Sequence, residues 1–207
     1  MSGSPPKPAS QNPALPDFWD QRFRDGVTPW DAGGVPRDLQ DFAAAQAVVA
    51  AGVPRVLLPG CGSAWEARFL CERGWDVLAL DFSEAALAAA MQLVGPWRDR
   101  LMMADFFSFA AQAPFDIIYE RAFLCALPRR LWPDYAARCA ELLRPGGQLT
   151  GFFFFGSEPK GPPFMIEPAA LEALLASHFE LVEDRPVDDS LPVFRARERW
   201  QIWRKRG

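Results

Sequence analysis

Short apolar runs alternate with stretches of helical periodicity from residue 55 to residue 155, and this alternation restricts the fold more than any other feature of the sequence. The apolar runs are predicted strands at residues 55–59, 76–80, 101–104, 115–119 and 148–155. The helical patterns lie at residues 66–72, in a segment that begins at Ser83, and at residues 131–143. Strands that alternate with helices are typical of βαβ units, so we expect a parallel sheet with both faces covered.

The pattern changes after residue 156, where a loop rich in glycine and proline leads to a helix that begins at Pro168. Two further strands, predicted at residues 179–187 and 194–203, have no helical segment between them. A connection this short between adjacent strands requires antiparallel pairing. The sequence therefore predicts an α/β protein with a Rossmann-like, seven-stranded mixed sheet. That sheet is mostly parallel, ends in a C-terminal antiparallel hairpin and is flanked by helices.

The N-terminal segment divides into a tail and a helical region. Residues 1–16 are rich in proline and poor in apolar side chains, so they are predicted to form a disordered tail. Asp17 is expected to cap a first helix, and a second helix is predicted at residues 36–51. We therefore predict one domain at residues 17–207, in which residues 17–52 form an N-terminal helical lid.

Composition and charge restrict the partners. A net charge of -4 gives no general attraction to nucleic acid or to anionic lipid, so a small molecule is the expected partner. The longest apolar stretch is too short to span a bilayer, and the first residues lack the apolar region of a signal peptide. A cytoplasmic location is expected. No apolar stripe is obvious, which favours a monomer.

The cysteine and histidine content argues against a disulfide framework and against a metal centre. The four cysteines have no CxxC spacing, as expected of reduced thiols. The single histidine, His178, falls in an apolar helical pattern, where a structural role is expected. No metal site is predicted.

The most informative motif runs from residue 56 to residue 64, where a buried strand passes through Gly60, Cys61 and Gly62 into a helix. Glycines allow a ligand to approach the backbone closely, and the helix N-terminus supplies free N–H groups. Asp81 ends the next strand, where a carboxylate can accept hydrogen bonds from ribose hydroxyls. The glycines alone are also explained by tight turning. Together with Asp81 they indicate a nucleoside site, in which Phe82 follows the acid.

A nicotinamide dehydrogenase is the first alternative. Its fingerprint requires a third glycine where this chain has Trp65, a side chain that would crowd a pyrophosphate. S-adenosylmethionine carries no pyrophosphate, so the motif favours S-adenosylmethionine as the cofactor.

Two more strands end in acidic residues, Asp105 and Glu120, which should open on the ligand-binding edge of the sheet. Asp105 is a candidate for the adenine amino group, with Phe106 packed on the ring. The alternative for Asp105 is a helix N-cap.

An aromatic cluster in the N-terminal segment comprises Trp19, Phe23 and Trp30. Aromatic faces stabilise a sulfonium cation, so we expect this segment to fold over the cofactor as a lid. The alternative is that these rings only fasten the first helix to the core. Methyl transfer from a sulfonium mainly requires two aligned reactants and exclusion of water, which agrees with the lack of an acid–base apparatus.

Several segments together resemble the thiopurine S-methyltransferase family, a branch of the class I S-adenosylmethionine-dependent methyltransferases that also contains thiol, halide and thiocyanate methyltransferases. They extend from residue 17 to residue 205 and are Phe18-Trp19, Gly26-Val27-Thr28-Pro29-Trp30-Asp31, Leu58-Pro59-Gly60-Cys61-Gly62, Ala79-Leu80-Asp81, Ala104-Asp105-Phe106-Phe107, Phe115-Asp116-Ile117-Ile118-Tyr119-Glu120-Arg121, Phe123-Leu124-Cys125-Ala126-Leu127 and Gly161-Pro162-Pro163-Phe164.

The resemblance implies roles for individual residues. Gly60 contacts the methionine part of the cofactor, Asp81 the ribose, and Asp105 with Phe106 the adenine. Arg121 matches an arginine near the reacting centre of the thiopurine-type members and is the predicted catalytic residue; its alternative is an ion-pairing role. The predicted cofactor-binding residues are Trp19, Phe23, Trp30, Gly60, Cys61, Gly62, Asp81, Phe82, Asp105, Phe106 and Glu120.

The sequence mixes features of two branches. Thr28-Pro29-Trp30-Asp31 resembles the thiol and halide members, whereas Glu120-Arg121 resembles the thiopurine-type members. Ala64 stands where the family's first loop often has another glycine. The predicted function is methyl transfer to a thiol or thiopurine sulfur. A halide, thiocyanate or other chalcogen acceptor and a non-catalytic S-adenosylmethionine sensor are the remaining alternatives. The basic C-terminus is interpreted as an edge strand protected by charge.

Overall fold

The computed structural model describes residues 11–49 and 52–207. Its α-helices are α1 (Pro16–Arg24), α2 (Arg37–Val49), α3 (Trp65–Glu72), α4 (Glu84–Leu93), α5 (Trp132–Leu142) and α6 (Pro168–Leu175). Its strands are β1 (Arg55–Pro59), β2 (Asp76–Asp81), β3 (Leu101–Met103), β4 (Phe115–Glu120), β5 (Leu143–Phe154), β6 (Phe179–Pro186) and β7 (Glu198–Lys205). Short 3₁₀ helices lie at Gly95–Arg100, Leu124–Ala126, Arg129–Leu131 and Pro192–Phe194.

The strands form one seven-stranded sheet in the order β3-β2-β1-β4-β5-β7-β6. Strands β1 to β5 pair in parallel, whereas β7 is antiparallel to both β5 and β6. The predicted mixed sheet with a C-terminal antiparallel hairpin is therefore confirmed. The strand order reverses at β1, which has β2 on one side and β4 on the other, and such a switch point is where open α/β sheets bind ligands.

Both faces of the sheet are buried at the central strands β1 and β4, and successive residues of a strand point to opposite faces. In β1, Leu57 packs with α5 and α6, whereas Val56 and Leu58 pack with α2 and α3. In β4, Ile118 faces α5, and Tyr119 lies in the cluster on the opposite face. This alternation decides which residues at the end of β4 reach the ligand-binding edge.

Several element boundaries differ from the predicted ones. Helix α1 begins at Pro16, with Leu15 at the cap position, so Asp17 lies in the first turn and is not the cap. Strand β7 begins at Glu198 rather than at residue 194, because the preceding residues form a 3₁₀ turn and Arg195 has φ of 53°. His178 lies in the turn after α6 rather than within a helix.

The N-terminal region has two structural parts. Helix α2 belongs to the core, since its Leu39 and Phe42 are buried in the same cluster as Trp200. Helix α1 instead packs on α4. The predicted tail lies mostly outside the described residues, but residues 12–15 form a turn in which the Asn12 side chain accepts a hydrogen bond from Ala14 N at 3.1 Å.

In the part of the chain that the structure describes, no helix is long and apolar enough to cross a membrane.

Candidate active site

A cavity of about 360 Å³ opens at the switch point, at the carboxyl ends of β1, β2 and β4. This volume is within the range of roughly 300–1,000 Å³ that small-molecule sites occupy. Residues of the turn after β1, of α1 and the segment that follows it, and of the loops after β4 and before β7 line the cavity. Trp65 lies in its wall and leaves it open.

The turn after β1 is shaped by backbone conformations that side chains rarely adopt. Gly60 has φ of 60°, and a Cβ atom there would lie 2.5 Å from Cδ2 of Phe123. Gly62 has φ of 52°, and its N–H donates to Oδ2 of Asp81 at 3.1 Å. Ala64 is also left-handed, with φ of 61°. Both glycines are therefore required by the turn, and Ala64 occupies a position that glycine adopts more easily.

Asp81 is buried at the end of β2 and lines the cavity together with Phe82. Its Oδ1 accepts a hydrogen bond from Ser83 N at 2.9 Å, and its Oδ2 accepts the bond from Gly62. Burial raises the pKa of the Asp81 carboxyl, while these two N–H groups act to lower it. The carboxylate is thus fixed in place and available to a ligand hydroxyl.

The aromatic side chains of the N-terminal segment also line the cavity, and Phe23 lies beside Gly62. Trp19 and Trp30 meet edge to face with ring centroids 5.4 Å apart, and Phe23 lies 6.2 Å from Trp30. All three line the cavity. The indole N–H of Trp19 donates to Pro13 O at 2.9 Å, which fixes the orientation of that ring.

Helix α1 is held to α4 by a residue that sequence analysis did not select. The buried Asp20 carboxylate accepts hydrogen bonds from Ser83 Oγ at 2.6 Å and from Ala85 N at 2.9 Å, at the N-terminus of α4. Burial acts to raise the pKa of Asp20, but these hydrogen bonds together with the Arg24 charge and the Glu84 N–H outweigh it, so the pKa is lowered. Asp20 thereby connects the aromatic wall to the segment that follows Asp81.

Arg121, the predicted catalytic residue, lines the cavity but is already paired. Its Nη1 donates to Oε1 of Glu198 on β7 at 3.0 Å, with both side chains largely buried. The guanidinium lies 4.2 Å from the ring centroid of Phe152. Ser190 Oγ donates to the other carboxylate oxygen of Glu198 at 2.7 Å. Arg121 therefore forms an ion pair, as its alternative role predicts, and this pair is buried at the wall of the cavity.

The cavity wall also includes residues that were not predicted as site residues, among them Trp65, Glu66 and Tyr119. Among the described residues, Trp65 Nε1 and the Tyr119 hydroxyl are buried without a hydrogen-bond partner. Burial raises the pKa of Glu66, and the Arg121 charge opposes the shift. An acid in the first turn of α3, directly after the glycine turn, was the available sequence signal for Glu66.

Three of the predicted cofactor-binding residues lie outside the cavity lining. Glu120 faces away from the cavity, and its carboxylate accepts hydrogen bonds from Phe123 N at 2.8 Å and from the Tyr135 hydroxyl at 2.7 Å. Phe106 is buried in the core against Tyr135. The Asp105 carboxylate is exposed and accepts a hydrogen bond from the backbone N–H of Phe107 at 2.9 Å. Residues 106–108 form a turn rather than a helix, so Asp105 stabilises a turn and the predicted helix N-cap is not formed.

Neither thiol of the cavity wall is activated. Cys61 and Cys125 line the cavity, and burial raises the pKa of both thiols well above the usual value, with nearby carboxylates adding to the shift. Within residues 11–49 and 52–207, no cluster of three or more histidine, cysteine or acidic residues has the geometry of a metal site.

The site fits a cationic nucleoside cofactor. Carboxylates of Asp31, Glu66 and Asp81 line the cavity. The lining cations are Arg22 and Arg121, and the Arg121 charge is balanced by Glu198. The glycine turn leaves room for a ligand. The indole N–H of Trp65, which has no partner among the described residues, can donate a hydrogen bond to it. An acidic, aromatic cavity favours a sulfonium cation.

Fold and site together define the class. The chain superimposes with a TM-score of 0.73 on a crystal structure of 1,6-didemethyltoxoflavin-N1-methyltransferase from Burkholderia thailandensis with bound 1,6-didemethyltoxoflavin and S-adenosylhomocysteine. The identity is 22%, and the match covers 100% of this chain and 94% of that chain. The fold is therefore that of the class I S-adenosylmethionine-dependent methyltransferases.

The sequence then identifies the family within that class. The sequence model described as Thiopurine S-methyltransferase matches residues 14–206, so the chain belongs to the thiopurine S-methyltransferase family. A thiopurine S-methyltransferase of Xanthomonas campestris pv. campestris is 30% identical, over 87% of this chain and 91% of that protein. Thiocyanate methyltransferase 1 of Arabidopsis thaliana is 26% identical, over 90% of this chain and 84% of that protein.

This protein is thus an S-adenosylmethionine-dependent methyltransferase, as predicted. The nicotinamide dehydrogenase alternative is excluded by the family, and Trp65 stands in the wall where that alternative needed a glycine.

Proposed function

We propose that the protein transfers the methyl group of S-adenosylmethionine to a small, soft sulfur nucleophile, a thiol or a thiopurine. The observation that carries the proposal is a cavity whose wall includes Gly60, Asp81, Trp30 and Arg121. We call the part at Gly60 and Asp81, where β1 and β2 end, its first end, and the part at Trp30 and Arg121 its second end. The relatives named after thiopurine and thiocyanate support a soft acceptor. The first end is proposed for the cofactor and the second for the acceptor.

The cofactor, when bound, supplies a methyl group activated by a sulfonium. In our proposal, Asp81 binds the ribose hydroxyls, Phe82 packs beside the nucleoside, and the turn of Gly60, Cys61 and Gly62 holds the methionine part. Asp105 at the end of β3 remains a candidate for the adenine amino group, since its exposed carboxylate lies next to Ala104, whose N–H donates to Asp81 O at 3.0 Å.

The aromatic residues Trp19, Phe23 and Trp30 exclude water and surround the positive charge in this account. We propose that the lid consists of α1 and the following segment, while α2 belongs to the core. Residues 17–207 are proposed to act as one domain. Arg121 assists the acceptor by hydrogen bonding, since Glu198 already offsets much of its charge.

The proposal also covers the location, the oligomeric state and the partner of the protein. We infer that the protein is a cytoplasmic monomer whose partner is a small molecule rather than nucleic acid or a membrane. The net charge of -4 supports this inference. Size-exclusion chromatography with light scattering tests the monomer.

The function is tested by release of S-adenosylhomocysteine from the purified protein with a panel of acceptors. The panel contains thiols, thiopurines, a selenol, thiocyanate and iodide. We expect turnover with the neutral sulfur compounds. Turnover only with thiocyanate or iodide would establish the alternative acceptor class, and binding of S-adenosylmethionine without turnover of any acceptor would identify a sensor.

A further inference from the structure

We propose that Tyr119 is a specificity-determining residue that donates a hydrogen bond to the methyl acceptor, and that it favours a neutral sulfur compound bearing a hydrogen-bond acceptor atom beside the sulfur. This inference rests on the proposed function and adds a residue that touches the acceptor.

The Tyr119 hydroxyl is a buried donor without a protein partner. The residue is 2% exposed, it lines the cavity, and its hydroxyl has no hydrogen-bond partner among the described residues. A buried hydroxyl that lacks a partner is costly, and one at a cavity wall can regain its hydrogen bond from a ligand. The cavity supplies the place for that ligand.

The position of Tyr119 assigns it to the acceptor end of the cavity. It lies on β4, whereas Asp81 lies at the end of β2, and β1 separates the two strands. Neighbouring strands are about 4.8 Å apart, so a molecule held at Asp81 crosses the Gly60 turn before it reaches β4. Because alternate residues share a face, Tyr119 points to the same side as Arg121 and Phe152.

The charge around Tyr119 favours a neutral partner. Burial and the nearby Glu66 carboxylate raise the pKa of the Tyr119 hydroxyl well above its usual range, so it remains protonated and donates. Glu66 lines the same part of the wall, and Glu198 balances Arg121. This end of the cavity thus offers hydrogen bonding with little net positive charge. A ring nitrogen or thiocarbonyl sulfur satisfies such a site better than a bare anion does.

The test compares two substitutions that each remove one orphaned buried hydroxyl. Tyr119→Phe removes the proposed donor. Thr150→Val is the matched control, because Thr150 is the β5 residue paired in register with Tyr119, its hydroxyl is also buried and unpartnered, and it lies outside the cavity lining. Calorimetry measures binding of 6-mercaptopurine, below its thiol pKa, and of thiocyanate to the S-adenosylhomocysteine complex of each variant.

Tyr119→Phe is expected to weaken 6-mercaptopurine binding on the order of tenfold, leave thiocyanate and S-adenosylhomocysteine binding within about twofold, and leave the melting temperature of the free protein unchanged or higher. Thr150→Val should leave all three affinities unchanged. Unaltered 6-mercaptopurine binding would overturn the inference, and so would a matching loss of S-adenosylhomocysteine affinity. The proposed function fails separately, if the wild-type protein turns over no acceptor.

Discussion

The cofactor end of the cavity is built from backbone conformations and residues close in sequence, whereas the acceptor end is built from side chains of distant segments. Gly62 and Asp81 join the ends of two adjacent strands through one hydrogen bond. At the other end, Arg121 is fixed by Glu198, which lies 77 residues further along the chain. If the proposed assignment of the two ends holds, the cofactor site is determined by local turns, while acceptor choice depends on tertiary packing.

The largest expected effect is at the cofactor end. Asp81→Asn removes the carboxylate charge that Gly62 and Ser83 orient, and hydrogen bonds to a charged group contribute about 1.5–3 kcal/mol each. We expect S-adenosylhomocysteine binding, measured by calorimetry, to weaken on the order of 100-fold. Asp76→Asn, at the other end of β2 where the half-buried carboxylate pairs with Arg100, is the control and should bind normally. Similar affinities of the two variants would contradict the assignment.

Trp30→Ala tests whether the aromatic side chains of the cavity wall contribute both to cofactor binding and to turnover of the acceptor. Trp30 contacts Trp19 and Phe23 and packs against Phe194 at the acceptor end. Loss of the ring admits water and is expected to lower kcat/KM on the order of tenfold. Initial rates at varied concentrations of both reactants provide the measurement. Unchanged cofactor affinity and turnover would remove the lid proposal.

Glu198→Gln is expected to shift acceptor choice several-fold without a large loss of cofactor binding. Arg121→Ala is a poorer probe, since it leaves Glu198 buried without its partner and destabilises the protein by about 3–5 kcal/mol. Glutamine keeps a hydrogen bond to the guanidinium but releases its charge. Competition between thiocyanate and a neutral thiol should then move toward thiocyanate by about fivefold. A ratio equal to that of the wild type would show that charge at this end does not select the acceptor.

The smallest expected effect is a pH dependence of the contact between α1 and α4. The pKa of Asp20 is lower in the folded protein than its ordinary value of 3.8, so its carboxylate stabilises the contact between α1 and α4 above that value, and the stabilisation is lost as the pH falls below it. Amide exchange of α1 should rise at acidic pH more than exchange of β1. In Asp20→Asn, exchange of α1 should already be faster at neutral pH and respond less to acid; an identical response would contradict the role of Asp20.

The sequence predicted the fold for physical reasons that also explain why some predicted site residues lie outside the cavity lining; the cofactor roles of Gly60 and Asp81 stay a prediction. Alternating apolar runs specify the sheet, and glycines with positive φ mark the turn at Gly60 and Gly62. Glu120 was assigned to the site because it ends a strand, but adjacent strand residues face opposite ways. Tyr119 and Arg121 therefore reach the cavity, while Glu120 points to Tyr135.

Sequence analysis selected Trp30 and Arg121, but the contacts that fix side chains at a distance along the chain were beyond it, because such contacts have no local pattern. Nothing near Arg121 in the chain indicates a partner on β7, and nothing near Asp20 indicates a bond to Ser83. Tyr119 reads as an ordinary strand residue, and only its unpartnered hydroxyl distinguishes it. Such residues become visible once the strand order is known.

The most direct test is a crystal structure of the protein with S-adenosylhomocysteine and 6-mercaptopurine bound together. The account predicts that Asp81 accepts hydrogen bonds from the ribose, and that the Tyr119 hydroxyl lies within about 2.6–3.2 Å of a ring nitrogen or the sulfur of the acceptor. A complex in which Tyr119 instead contacts the cofactor, or in which the acceptor lies outside the wall formed by Trp30 and Arg121, would contradict it.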